Sequence, residues 1–309
     1  MAVERSPRAD TGPRQDKGDA PSARPPRRPL SWAWVGVAPF FLFAILFLFL
    51  PSFSIFLRSF ESLDHTFTFQ NILDIFQKSD IRNAYKLSLQ VSAVTAIGGA
   101  FFGFLLAYAV CMGGMPKSAR SFLLTFSGVA SNFAGVPLAF AFVATMGNAG
   151  LVTRIIENLT GFDIHAGGFT IYNFWGLSIV YMYFQFPLMV LIMAPALDGL
   201  RREWREACEN LGGTTFHYWR YVALPILMPT LLGTSILLFG NAFGAYATAY
   251  AFTGSFLNLV PIVIGAQIQG DVLYNPGLGN AMALGMIVIM SLSMLIYMWS
   301  QRRAARWVR

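Results

Sequence analysis

The side chains that could carry out covalent chemistry are few and scattered in this 309-residue chain. Its three histidines, His65, His165 and His217, lie outside the apolar runs, and no H-E-x-x-H zinc motif occurs. The two cysteines, Cys111 and Cys208, lie at the edges of apolar runs, which argues against a disulfide framework. No lysine follows a glycine, as the phosphate-binding motif G-x-x-x-x-G-K-[ST] requires. We therefore expect no catalytic residue, no metal site and no cofactor site, and a chain that is not an enzyme.

The densest group of charged residues lies in segment 198–224, DGLRREWREACENLGGTTFHYWRYVAL. Helix-favouring residues precede Gly212 and Gly213, which would end a first short helix. Thr214 then predicts a cap for a second short helix. Such a pair either lies on lipid headgroups as an amphipathic element or forms a projection that fits a groove on another protein.

Apolar residues dominate the elements on either side of that segment. Hydrophobic residues make up 55% of the chain and charged residues only 12%, whereas a water-facing globule needs roughly 25% charged residues. Six uncharged runs reach the length of about 20 residues that spans a bilayer. They are Trp32–Leu57, Leu87–Cys111, Phe122–Met146, Tyr172–Leu197, Pro225–Phe252 and Leu278–Trp299. Because the runs do not alternate as barrel strands do, we predict an all-α membrane protein with six transmembrane helices.

The ends of the chain differ in composition from this membrane domain, which we place at 32–301. Residues 1–31 are basic and rich in proline, with too little apolar content to fold, and residues 302–309 form a short basic tail. The arginines of the leader either contact anionic membrane lipid or only fix the topology. A seventh apolar stretch, Phe256–Ile268, is too short to span and predicts an interfacial or re-entrant element.

Basic residues in alternate loops predict the orientation. With the N-terminus inside, 17 of the 22 Lys and Arg residues lie on the cytoplasmic side and 5 on the outer side. This bias places both termini in the cytoplasm. Topology thereby accounts for the net charge of +7, and no nucleic-acid partner is expected.

Polar side chains form stripes within three of the runs and are candidates for lining a solute path. The candidates are Ser131, Asn132, Gln185, Thr234, Asn241, Tyr246 and Thr248. The alternative is that such side chains only form hydrogen bonds between helices. Small residues around Asn241 would leave room for a solute, so both interpretations stay open there. In the second run, Gly99 and Gly103 predict a close approach of two helices.

The spacing within segment 198–224 resembles a known pattern. It reads E-A-C, three residues, G, nine residues and V-x-L-P, and is similar to the EAA loop of ABC importer permeases, E-A-A-x3-G-x9-I-x-L-P. Two positions depart from the pattern, each by a small or isosteric replacement. The residues that carry the resemblance are Glu206, Ala207, Cys208, Gly212, Val222, Leu224 and Pro225.

This resemblance implies a type I ABC importer permease bundle in the plasma membrane. It implies that Glu206, Ala207 and Gly212 belong to coupling helices seated in P-loop ATPase subunits, which would use the ATP. It also implies a second permease subunit, identical or different, and an extracytoplasmic solute-binding protein. A stand-alone channel or facilitator is the competing hypothesis.

Two later segments suggest a solute. Asn241–Gly254 and Leu259–Met290 look similar to permeases of the polyamine importer branch, which handle spermidine or putrescine. Permeases of the branches that handle ferric ion or 2-aminoethylphosphonate are similar to the same two segments. Tyr246 and Tyr250 could offer cation–π contacts to an amine, although aromatic residues near a membrane face also serve in packing.

Overall fold

The computed structural model describes residues 33–161, 170–254, 256–270 and 274–304, and these are almost entirely helical. The leader expected over 1–31, His165 and residues 305–309 lie outside the described residues. The helices are α1 (Ala33–Ala44), α2 (Leu50–Arg58), α3 (Gln70–Gln77), α4 (Ser79–Met112), α5 (Lys117–Asn132), α6 (Val136–Met146), α7 (Leu151–Thr160), α8 (Phe174–Asp198), α9 (Arg202–Asn210), α10 (Thr215–Tyr218), α11 (Leu224–Phe243), α12 (Tyr246–Thr253), α13 (Val260–Gln269) and α14 (Pro276–Ala304). π-Helical turns occupy Ile45–Phe49 and Trp219–Ala223.

The expected all-α fold with six membrane-crossing segments is confirmed for the described part of the chain. The segments with the required length and apolarity are Gly36–Arg58, Ser79–Met112, Val136–Thr160, Phe174–Asp198, Thr215–Phe243 and Pro276–Trp299. The seventh apolar stretch forms the short helix α13, which does not reach spanning length.

The chain divides after Leu50 into two units. The described part of the first unit, residues 33–50, carries no charged side chain. Within it, the rings of Phe43 and Phe47 stack with centroids 4.9 Å apart. The second, Pro51–Arg309, holds the helical bundle and the segments considered below.

Close contact between α4 and α8 organises the bundle. A Cβ placed on Gly103 would lie 2.6 Å from Met189 Cβ, and one on Gly99 would lie 2.9 Å from Gln185 Cβ. Neither position has room for a side chain, so the expected close approach at these glycines occurs within the chain.

The two ends of α4 lie in different surroundings. Near its start, Ile81 and Ala84 share a buried cluster with Met282 of α14. Near its end, Ala107 is buried in a cluster with Tyr218, which belongs to the segment after α9. One end of α4 therefore contacts α14, and the other contacts segment 198–224.

Two of the runs expected as continuous helices are interrupted. The run 122–146 breaks at Phe133–Gly135, between α5 and α6, so the third crossing segment is Val136–Thr160 and not 122–146. The run 225–252 breaks at Gly244–Ala245, between α11 and α12, just after the fifth crossing segment ends at Phe243. Gly135 has φ 75°, a value that glycine adopts without strain. Pro137, two residues later, has no N–H to donate to a preceding helix. Uncharged composition alone does not reveal such breaks, because both halves remain apolar.

We predict that Gly103→Val destabilises the bundle by about 1–3 kcal/mol, because the added methyl groups overlap Met189 in a packed interface. The measurement is the thermal unfolding midpoint of the purified protein in one detergent. Gly128→Val is the matched control, since a Cβ there meets no heavy atom within 4 Å. Equal losses in the two variants would contradict this account of the α4–α8 contact.

Candidate functional site

Segment 198–224 folds into two helices joined by a tight turn. Helix α9 ends in a Schellman motif, in which Gly213 N–H donates to Cys208 O at 2.8 Å and Gly212 N–H donates to Glu209 O at 2.9 Å. Gly212 has φ 79°, a left-handed conformation that strains a residue with a side chain. A Cβ on Gly213 would lie 2.8 Å from Cys208 O. Both glycines are therefore required for the turn.

The second helix of the segment is not a separate short helix, in contrast to the sequence-based expectation. Thr214 caps α10 by accepting a hydrogen bond from His217 N–H at 3.4 Å. Helix α10 then passes through the π-helical turn into α11, without a non-helical residue between Thr215 and Phe243. A π-helical turn accommodates an extra residue in a helix, and Pro225 follows in the first turn of α11. Movement of the turn would therefore be transmitted directly to α11.

The two faces of α9 differ in burial. Trp204 and Cys208 pack against the cluster around Tyr218, whereas Glu206 and Ala207 are exposed. Leu211 follows the helix with 89% of its surface exposed. We call Glu206, Ala207, Leu211 and Phe216 the loop surface, since Phe216 is also exposed. Exposed apolar side chains next to a carboxylate are typical of a protein interaction site.

The start of the same segment is attached to α5. Arg120 Nη2, near the beginning of α5, forms a hydrogen-bonded ion pair with Asp198 Oδ2 at the end of α8. The pair is half-exposed, and such pairs contribute modestly to stability. It nevertheless links α5 to the residue from which the loop starts. Sequence reasoning did not identify Arg120, because its partner lies 78 positions away.

At each break, a backbone group that no longer bonds within a helix forms a hydrogen bond with a side chain of another helix. Gly135 N–H donates to Thr248 Oγ1 at 2.8 Å, which joins the first break to α12. Tyr181 OH donates to Ala245 O at 2.8 Å, which satisfies the second break from α8. Non-helical backbone at membrane depth is tolerated where it is buried in protein or lines a cavity, and such breaks form the solute sites of several transporter folds.

Four of the candidate pathway residues flank the two breaks. Ser131 and Asn132 are the last residues of α5, and Asn132 is exposed. Asn241 is exposed near the end of α11, and Tyr246 begins α12 with 39% of its surface exposed. These side chains are available to a solute that reaches the breaks.

The other three candidates are buried and hydrogen-bonded within the bundle. Gln185 Nε2 donates to Thr95 Oγ1 at 3.1 Å, Thr234 Oγ1 donates to Thr230 O at 2.8 Å, and Thr248 accepts from Gly135. Gln185 and Thr248 match the alternative in which polar side chains join helices, whereas Thr234 bonds within its own helix, α11. The sequence-based candidates did not include Gly135 and Tyr181, which form the hydrogen bonds at the breaks. The Gly-x-Pro spacing at Gly135 is a signal that could have revealed the first break.

Comparison with known proteins identifies the family. Residues 166–309 match the model of the binding-protein-dependent transport system inner membrane component. A probable sulfate transport system permease of Nephroselmis olivacea is 23% identical over 78% of this chain and 80% of its own. A structure of a bacterial alginate ABC transporter, in complex with a periplasmic protein bound to an alginate pentasaccharide, contains a chain with TM-score 0.69 at 15% identity, covering 88% of this chain and 94% of that one. Residues 166–309 belong to this family of ABC importer permease components.

Two further relatives carry different solute names. A putative ferric transport system permease of Haemophilus influenzae is 24% identical over 85% of this chain and 40% of its own. A spermidine/putrescine transport system permease of the same species is 29% identical over 38% of this chain and 40% of its own. Together with the sulfate permease, these relatives carry the names of three chemically different solutes. The comparison therefore does not single out the polyamine branch expected from the sequence.

As a permease component, the protein is a multi-pass inner-membrane protein and not an enzyme. The matched residues 166–309 include the whole of segment 198–224 and the second break. Each interrupted span of the permease is attached to that segment at its other end, α5 through Arg120 and α11 by helical continuity. The loop surface and the two breaks are therefore connected by helices.

We predict that Thr248→Val lowers the free energy of unfolding by about 1–3 kcal/mol, because the Gly135 N–H loses its acceptor in a buried place. Thr145→Val is the control, since the exposed Thr145 hydroxyl donates to carbonyls of its own helix, Ala141 O at 2.8 Å and Phe142 O at 3.2 Å. Both variants are compared with the wild type by denaturant unfolding in the same micelles. If Thr145→Val is as destabilising as Thr248→Val, the hydrogen bond between the breaks is not the cause.

Proposed function

We propose that this permease forms half of a solute path and is driven by a separate ATPase that binds the loop surface. The observation that carries the proposal is the connection of this surface to both interrupted spans. A displacement of α9 would reach the second break along α10 and α11, and the first break through Asp198, Arg120 and α5. Two-state transport requires contacts that differ between the states, and the breaks are where the backbone can change without disrupting a continuous helix.

The proposed assembly contains three kinds of partner. P-loop ATPase subunits bind and hydrolyse the ATP, so the permease itself holds no cofactor. A second permease subunit, identical or different, completes the path, and an extracytoplasmic solute-binding protein delivers the solute. The excess of Lys and Arg in one set of loops, 17 against 5, supports cytoplasmic termini and a cytoplasmic loop surface.

Ser131, Asn132, Asn241 and Tyr246 are the proposed contacts for the solute. They offer hydroxyl and amide groups beside the breaks, and none of the four carries a charge at neutral pH. Neutral donors and acceptors of this kind guide a polar solute without binding it tightly, which suits a path more than a storage site. Selectivity would then rest largely on the binding protein.

For the solute itself we propose a polyamine, with an oxyanion as the second candidate. The polyamine is supported by Tyr246 and Tyr250, whose exposed rings stack with centroids 5.5 Å apart and present aromatic faces to a cation. The oxyanion is supported by the sulfate names of relatives. It is also supported by the N-termini of α6 and α12 at the breaks, which lack a side-chain cap, because half-helix N-termini attract anions.

We predict that Glu206→Arg and Gly212→Asp each reduce uptake by about tenfold or more, because losing a central contact of an interface costs roughly 2 kcal/mol. Solute uptake is measured in cells, together with the amount of permease in the membrane fraction and the amount of ATPase that copurifies. Both variants should stay in the membrane and lose the ATPase.

Asp64→Arg is the matched control, an equal charge change at an exposed residue between α2 and α3, outside the crossing segments. It should leave uptake and copurification at the wild-type level. Wild-type uptake in Glu206→Arg and Gly212→Asp would remove the coupling role of the loop. Transport by the purified permease without any ATPase would favour the stand-alone facilitator.

The solute is tested by uptake of labelled spermidine, sulfate and ferric ion in cells that lack their own importers. For a polyamine path, Tyr246→Ala should raise the KM for spermidine by about two- to tenfold, since a cation–π contact contributes roughly 0.5–1 kcal/mol or more. Tyr246→Phe keeps the ring and should behave as the wild type. Uptake of sulfate but not spermidine, with no effect of either variant, would select the oxyanion.

A further inference from the structure

An apolar groove of about 710 Å³ lies between α3, the first half of α4 and α14. Its walls include Phe76 of α3, Leu89 of α4, and Leu284 and Val288 of α14. It opens to the outside of the bundle, and Phe76 and Val288 are exposed. The groove belongs to neither the loop surface nor the breaks, and the proposed transport mechanism does not use it.

The floor of the groove is fixed by a contact between α4 and α14. Tyr85 OH donates to Met282 O at 2.6 Å, across the two helices. Gly285, one helical turn further along α14, lies against this hydroxyl, and a Cβ there would collide with it. The glycine at position 285 therefore lets the Tyr85 side chain reach across to α14. Because Gly285 has no side chain, the groove stays open beside Tyr85.

Polar side chains lie along one rim of the groove. Arg82, Lys86 and Gln90 line it and follow one another at intervals of four residues on one face of α4. Both cations are exposed, and the ion pairs found among the described residues involve neither of them.

Nearby acidic residues do not neutralise this rim. Asp74 Oδ2 forms an ion pair with Lys78 Nζ at 2.8 Å, and Asp74 Oδ1 accepts a hydrogen bond from Gln70 Nε2 at 2.8 Å. Asp80 lies two positions before Arg82, a spacing that puts the two side chains on different sides of a helix. The rim therefore keeps a local positive charge at the edge of an apolar groove.

We propose that this groove binds one anionic phospholipid. An acyl chain would lie between α4 and α14 over Gly285, and the phosphate would contact Arg82 and Lys86. Gln90, one turn further into the span, would donate to an ester carbonyl. Basic pockets between membrane helices bind anionic headgroups at the cytoplasmic side of other proteins. Here the combination of an apolar groove with two unpaired cations matches both parts of such a lipid, which the proposed topology places in the outer leaflet.

The test uses the full chain in phosphatidylcholine nanodiscs with a trace of phosphatidylglycerol that carries a photoreactive acyl chain. After irradiation, mass spectrometry of peptides locates the label, which we expect on α14 between Leu284 and Ile289. Unlabelled phosphatidylglycerol should compete for this labelling much more strongly than phosphatidylcholine. Arg82→Gln/Lys86→Gln should weaken the competition by about thirty-fold, since each cation near a membrane surface contributes about 1 kcal/mol.

Lys117→Gln/Arg202→Gln is the matched control, because it removes two exposed charges that lie outside the crossing segments and away from the groove and should leave the competition unchanged. Val288→Trp fills the groove without touching the cations and should abolish the label between Leu284 and Ile289 for any headgroup. This variant keeps the proposal testable if the double Gln variant fails to fold. Equal competition by the two lipids in the wild type, or labelling that Val288→Trp does not change, would overturn the proposal.

Discussion

The backbone of a membrane-spanning segment must find hydrogen-bond partners without water, and the architecture of this permease depends on that constraint. Continuous helices meet it within each segment. The helices are interrupted at Phe133–Gly135 and Gly244–Ala245, beside the crossing segments Val136–Thr160 and Thr215–Phe243, and at both places a side chain of another helix supplies the partner. Such departures need several helices to be packed around them, which the close approach of α4 and α8 provides.

The same two breaks explain how a loop outside the bundle could act on its interior. A span with a break can change its angle at the break while each half stays helical, whereas a continuous helix moves as a rigid rod. Helix α11 extends from the end of the loop to one break, and α5 extends from the Arg120–Asp198 pair to the other. The structure thus joins the loop surface to the two breaks through α5 and α11.

Family membership and solute choice have different physical origins. The fold follows from apolar spans and from the connection between loop and bundle, and these features do not depend on what crosses the membrane. The relatives carry sulfate, ferric and polyamine names. The residues beside the breaks are neutral hydroxyls, amides and rings, which are compatible with solutes of either charge.

The sequence by itself determined the features that depend on local composition. Uncharged runs predicted the membrane helices, and the spacing around Glu206 and Gly212 predicted a two-helix loop and its family. Only the tertiary structure decided that Gln185, Thr234 and Thr248 are buried hydrogen-bonding residues, that α10 continues into α11, and that Arg120 reaches Asp198. These features depend on which atoms from distant positions meet. A polar side chain facing a solute and one facing another helix have the same local sequence, so periodicity cannot distinguish them.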